Sequence, residues 1–205
     1  RYKNSACLML RKAREWTSKS IIPFYAQSVV GDDSEVRLLK SDSVFEYKNG
    51  SVVYVGGMKD DDQREAVRSI GGAGGLDMVW LEEGNAFTRQ DHEEVRGRLR
   101  HNAGGWRQEI ITTNPGGSMH WIYTDLIKGK QAAVYYSGAK DNPHNPPDYL
   151  DSLETMTGVM YKRLVLGQWV QAEGAVYDNF DYTIHVKERP LTDFHALGLA
   201  IDEGY

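Results

Sequence analysis

Short, mostly apolar runs recur along the chain at Ala6–Leu10, Met78–Leu81, Glu109–Thr113 and Ala132–Tyr136. Unbroken apolar stretches of this length fit strands buried on both faces. Between them, apolar residues fall at helical spacing in Trp16–Val30, Gln63–Ser69, Thr88–Leu99 and His120–Ile127, and Tyr149–Met156 with Val159–Leu166 suggests a further helix pair. Thr88, with Asp91 three residues on, reads as a short-armed capping box and marks a helix start. Val44–Tyr47 and Val52–Gly56 are β-rich and flank Lys48-Asn49-Gly50-Ser51, whose Asn-Gly pair adopts the positive φ angles of a tight hairpin turn. Strands alternating with helices predict an α/β fold, a mostly parallel sheet with helices on both faces. From Gln168 to Pro190 the periodicity fades, as in a linker, and Ala196–Ile201 starts a new apolar strand ending in Asp202.

Composition narrows this picture. The 205 residues suffice for one large domain, or one domain and part of another. With 40% hydrophobic and 26% charged residues the chain is a folded globular protein rather than a disordered one. A net charge of −5 lacks the footprint of a protein that coats nucleic acid, so any DNA contact is local. The single cysteine, Cys7, excludes an internal disulfide and a thiolate zinc site; it is expected to be packed, in a reducing compartment. No apolar run is long enough to span a membrane. The chain opens without an initiator Met or a signal-peptide pattern and stops just after a strand-like run, which reads as a piece of a longer protein.

The chemistry concentrates at two strand ends. Met78-Val79-Trp80-Leu81 delivers Glu82 and Glu83 to its C-terminal end, the edge where ligand sites lie in open α/β sheets. Phosphoanhydride hydrolysis needs one acid to hold Mg²⁺ and another to polarise the attacking water. Glu82 suits the first role and Glu83 the second. One helix further on, Ile110-Ile111-Thr112-Thr113-Asn114-Pro115-Gly116-Gly117 is a second strand ending in small polar groups that can sense a γ-phosphate. Gly71-Gly72-Ala73-Gly74-Gly75 lacks the lysine of a phosphate-cradling loop, and no Gly-x-x-x-x-Gly-Lys-Ser/Thr stands in the chain; the glycine run is a hinge or track. The six histidines show no metal-ligand spacing, and Trp16, Trp106 and Tyr135 are expected to pack rather than stack on bases.

Glu82-Glu83, Thr112-Thr113-Asn114-Pro115, and Gly167-Gln168-Trp169-Val170-Gln171-Ala172-Glu173-Gly174-Ala175-Val176-Tyr177 together closely resemble phage terminase large subunits. The resemblance implies an ASCE-type P-loop NTPase lacking its N-terminal P-loop segment, at residues 1–166. A linker at 167–195 and the start of an RNase H-like nuclease domain at 196–205 follow. It makes Glu82 the Walker B metal ligand, Glu83 the catalytic glutamate, and Thr113 with Asn114 the coupling motif, with ATP and Mg²⁺ as cofactors. A Glu stands at the metal position where many P-loop ATPases carry Asp. Arg68, in the loop before the acidic strand, matches an arginine that reaches a neighbouring subunit's nucleotide; Arg11, ending the first strand, is the other candidate to stabilise phosphoryl charge. Asp202 matches the first of the acids that bind two metal ions, Mg²⁺ or Mn²⁺, for strand cleavage. The implied protein packages double-stranded DNA into a procapsid as a ring of identical subunits, with a portal protein and a small terminase subunit as partners, in the host bacterial cytoplasm. The missing phosphate loop is expected upstream of Arg1, and the chain alone is expected to be inactive. The alternatives are a helicase-like P-loop ATPase, disfavoured by the Trp169–Tyr177 segment, and a non-catalytic prophage remnant.

Overall fold

A computed structural model describes residues 2–72 and 74–171. Among them, six strands form one sheet in the order β2-β3-β4-β1-β5-β6. The strands are β1 (Ala6–Arg11), β2 (Val36–Leu39), β3 (Val44–Tyr47), β4 (Val52–Gly57), β5 (Met78–Glu82) and β6 (Gln108–Thr112). β4, β1, β5 and β6 run parallel, and β2 and β3 add an antiparallel margin. The mostly parallel α/β sheet is therefore present.

The two-residue period of each strand divides its side chains between two cores. On one side lie Leu8, Leu10, Val79 and Leu81, all fully buried. Burying each contributes about 1.5–3 kcal/mol. That face is covered by α3 (Asp61–Ser69) through Val67, by α4 (Arg89–Arg96) through Val95, and by the π-helical segment Ile122–Lys128 through Ile122 and Leu126. On the other side Met9, Val53, Val55 and Trp80 meet α2 (Ile21–Phe24), which follows α1 (Arg14–Lys19), and the π-helical turn Tyr25–Val30. Helices thus cover both faces.

Several expectations are revised. The helix expected over Trp16–Val30 is three pieces. In one continuous helix the Pro23 ring would collide with the carbonyl of Lys19, so α1 stops there and α2 restarts with Pro23 in its first turn, where a missing N–H costs nothing. The β3–β4 hairpin forms, but positive φ is confined to Gly50 in its turn. Gly50 N–H donates to Tyr47 O and Tyr47 N–H to Ser51 O, each at 2.9 Å, which makes this a three-residue loop with a glycine bulge. β2, short and interrupted by Arg37, escaped the pattern. Thr88 and Asp91 form both arms of the capping box, and α4 ends at Arg96, before Gly97. The late pair is α5 (Pro147–Glu154), with Pro at its start, and α6 (Gly158–Met160) running into the π-helical Tyr161–Val165.

Ala132–Tyr136 is not a strand. β6 is the outermost strand among the described residues, and a groove of about 1160 Å³ separates it from this segment. Without a neighbour to complete its hydrogen bonds the apolar run stays irregular, and Tyr135 is 92% exposed. Trp16 is likewise half exposed, with Lys19 over its ring, whereas Trp106 meets Tyr2 edge-on. The Ala196–Ile201 strand and the linker beyond Gln171 lie outside the described residues.

A buried carboxylate ties the N-terminal ends of the strands. Asp77, 1% exposed, accepts the N–H groups of Ala6 (2.8 Å) and Ala103 (2.9 Å) and lies 2.7 Å from His101 Nδ1. Burial alone would raise its pKa, but these bonds outweigh it and hold the carboxyl below the usual range. Its stabilisation is therefore complete above the ordinary value of 3.8 and is lost as pH falls through the lower folded value. Asp77→Ala is expected to cost about 2–3 kcal/mol at neutral pH, and less in acid, in urea melts. An equal penalty at pH 7 and pH 3 would contradict the linkage.

Candidate functional site

β5 ends in a corner. Glu82 is the last strand residue, and Glu83 adopts left-handed backbone angles, φ 55° and ψ 54°. For a residue with a Cβ this conformation costs about 1–2 kcal/mol. Gly84 is buried directly after it: an added Cβ would stand 2.4 Å from Ile111 Cγ2 and 3.1 Å from Ile122 Cδ1. A 3₁₀ turn, Gly84–Ala86, closes with Ala86 N–H donating to Glu83 O at 2.9 Å. The chain thus leaves the strand through a tight turn that only glycine permits at its second residue.

Arg11 ends the neighbouring strand and reaches both acids. Its Nε is 3.5 Å from Glu82 Oε2 and its Nη2 is 3.8 Å from Glu83 Oε1. Nη1 donates to Ser20 Oγ at 3.0 Å, and that hydroxyl lies 3.5 Å from Glu82 Oε2. All three charged side chains are between 24% and 39% exposed, so solvent and ligand can reach them. One guanidinium between two carboxylates leaves net negative charge, which suits a cation.

β6 brings the second strand end alongside. Glu82 pairs with Thr112 in the sheet register. Thr112 Oγ1 accepts from Trp80 Nε1 at 2.9 Å. Thr113 Oγ1 accepts the Asn85 N–H at 3.0 Å and donates to Asn114 O at 3.0 Å, so it braces the corner beyond Glu83. Asn114 is exposed just past it. The structure therefore groups Arg11, Glu82, Glu83, Thr113 and Asn114 at one edge.

Arg68 is not in this group. It occupies the last turn of α3 rather than a loop, with Nη1 3.2 Å from Glu65 and Nη2 3.0 Å from Glu94. The glycine run lies at the opposite end of β5, where Arg98 donates to Ile70 O and to Gly72 O, so it cannot cradle a phosphate beside Glu82. Asp202 lies outside the described residues. Cys7 is partly buried in β1; burial, then the charge of Asp77, pushes its thiol up to about 11, as fits a packed residue.

Sequence reasoning missed a charge cluster behind the site. Asp91, fully buried, lies 2.5 Å from Lys12 Nζ and 2.9 Å from Arg64 Nη2 while also capping α4. Burial opposes its ionisation, but Lys12 and the Thr88 bonds prevail and hold its pKa low. The adjacent residues Arg11 and Lys12 thus anchor the end of β1 to acids on two different elements. The signal was in the sequence only as the capping acid.

Among the described residues no three His, Cys, Asp or Glu side chains converge to hold a metal. A protein cage is therefore absent there, but Mg²⁺ ordinarily takes one or two carboxylates together with substrate phosphates and water. Glu82, with Glu83 beside it, fits that arrangement.

The phage terminase large subunit family model matches residues 1–164. No curated protein matches the chain. Among solved structures, the large terminase of a thermophilic bacteriophage superposes with a TM-score of 0.71 at 22% identity, covering 92% of this chain and 47% of that one. The same phage protein in complex with ADP gives 0.67 at 21% identity, covering 92% and 47%. In complex with ATP-gamma-S it gives 0.66 at 21%, covering 92% and 46%. The chain spans about half the length of these proteins, and at such identities the likeness shows a shared α/β fold.

Strain at Glu83 has a measurable signature. Glu83→Gly is expected to be more stable than Glu83→Ala by about 1 kcal/mol, because only glycine adopts these angles freely. Equal stabilities in denaturant titrations would show that the corner is unstrained.

Proposed function

This chain belongs to the phage terminase large subunit family, and on that premise we propose that Arg11, Glu82, Glu83, Thr113 and Asn114 form the hydrolytic edge of a DNA-packaging ATPase. The observation that carries the proposal is the register of β5 with β6: Glu82 beside Thr112 sets the two acids next to Thr113 and Asn114 at the C-terminal end of parallel strands. The ADP and ATP-gamma-S complexes of the thermophilic phage's terminase support nucleotide as the ligand.

Mg²⁺-ATP, when bound, supplies the phosphoanhydride and neutralises part of its charge. Glu82 would hold the metal, and its shared guanidinium would turn toward phosphate. Glu83, beyond the strand end, orients water and accepts its proton. Asn114 offers a neutral amide that responds to the presence of a γ-phosphate, and Thr113 transmits its position to Asn85. Arg68 serves a neighbouring subunit's nucleotide: it stands half exposed on α3, and its pair with the exposed Glu65 exchanges readily with water.

The outer edge of β6 and the groove beside it have room for a further strand. We place there the strand that carries the phosphate-gripping loop, supplied by the full-length subunit; without it the chain is inactive. The full-length subunit then translocates double-stranded DNA into a procapsid, as a ring of copies working with a portal and a small subunit in the host cytoplasm. Contact with DNA is through its backbone, without sequence readout. Cleavage of the concatemer belongs to an RNase H-like domain in which Asp202 is the first ligand of two metal ions. No described helix is long and apolar enough to cross a membrane.

In the full-length subunit, Glu83→Gln is expected to lower ATP turnover by about 10²-fold or more while sparing nucleotide binding measured by calorimetry. Undiminished turnover would remove Glu83 from this role.

A further inference from the structure

Residues 167–171 return to the site. Trp169 is only 9% exposed and stacks on Tyr123, ring centroids 5.6 Å apart and planes 13° apart. Its ring also lies 5.8 Å from that of His120, and an added Cβ on Gly116 would stand 3.4 Å from it. Val170 N–H donates to Gly116 O at 3.1 Å, and Val170 O accepts from Arg163 Nε (3.2 Å) and Nη2 (2.6 Å). Gly116 belongs to the turn that follows Thr113 and Asn114, so the segment is bonded directly to the polar strand end.

His120 makes the second connection. Its Nδ1 lies 3.3 Å from the Ile122 N–H and acts as acceptor, which leaves the proton on Nε2. Nε2 donates to Asn85 O at 3.2 Å. Asn85 is therefore held at both of its peptide groups, its N–H by Thr113 Oγ1 and its C=O by His120. Between it and Glu83 stands only Gly84, which is buried and packed so closely against Ile111 and Ile122 that it has no room for a Cβ. The left-handed conformation of Glu83 persists because the residues after it are fixed in this way.

We infer that His120 is a positioning residue for Glu83, and that Trp169 and Val170 fasten the 167–171 segment to the same corner, so that the hydrolytic loop and this segment move as one unit. The inference rests on the proposed role of Glu83 and adds what holds it. It also explains the Gly-x-Trp sequence: Gly167, at φ 65°, turns the chain, and the indole two residues later fills the space between His120, Tyr123 and Gly116.

Two readouts test it. In the 205-residue chain without nucleotide, His120→Ala and Trp169→Ala are expected to speed hydrogen exchange of the Asn85 amide by about tenfold or more, with the β1 amides unchanged. In the full-length subunit the same variants are expected to lower kcat for ATP by about tenfold and to leave KM within about twofold. His120→Gln, which keeps an N–H donor, and Trp169→Phe, which keeps an aromatic ring, should recover most of both effects. Unchanged Asn85 exchange, unchanged kcat, or conservative variants as impaired as the alanine ones would each overturn the inference. A wild-type subunit that turns over no ATP would instead defeat the role of Glu83, and the exchange measurement alone would then decide whether His120 holds the loop.

Discussion

The site depends on the parallel register of three strands. β1 pairs with β5 so that Leu10 faces Leu81, and β5 pairs with β6 so that Glu82 faces Thr112. Arg11, Glu82 and Thr113 therefore emerge side by side at the same edge, although they lie far apart in sequence. The register itself is enforced by burial on both faces. A shift of one residue would exchange Leu8, Leu10, Val79 and Leu81 with their neighbours and place each in the wrong core. Buried acids fasten the sheet at both ends, Asp77 below the strands and Asp91 beneath Lys12 above them. With the ends fixed, one guanidinium can serve two carboxylates at once.

Much of this was legible in the chain. The apolar runs at Ala6 and Met78 and the capping box at Thr88 have local causes, and they appear where the pattern puts them. The acidic pair and the Thr-Asn turn were recognisable because strand ends carry ligand chemistry in this architecture. What was not legible depends on partners distant in sequence. Asp91 reads as a cap until Lys12 and Arg64 arrive from other elements. Ala132–Tyr136 has the composition of a strand, but composition cannot supply the neighbour that pairing requires. The role of His120 needed the position of Asn85, which belongs to a turn with no periodic signature. Trp169 stood out in the sequence only through family resemblance, and the structure supplies its physical reason.

The corner at Glu83 shows how a stable fold carries a strained residue. Its left-handed backbone is unfavourable, and the compensation comes from the buried Gly84, the braced Asn85 and the π-helical Ile122–Lys128 packed behind them. The acids are left partly exposed, while Gly84 after them is buried and Asn85 is bonded at both its N–H and its C=O. That division suits a hydrolase, in which the reacting carboxylate must be reached by water and held still.

The most direct test of the central claim is a crystal structure of the full-length subunit with Mg²⁺ and a non-hydrolysable ATP analogue. The account predicts a γ-phosphate at the ends of β5 and β6, with Glu83 linked to it through one water at hydrogen-bonding distances of about 2.6–3.2 Å. A nucleotide bound elsewhere, with Arg11 still closed over Glu82 and Glu83, would contradict it.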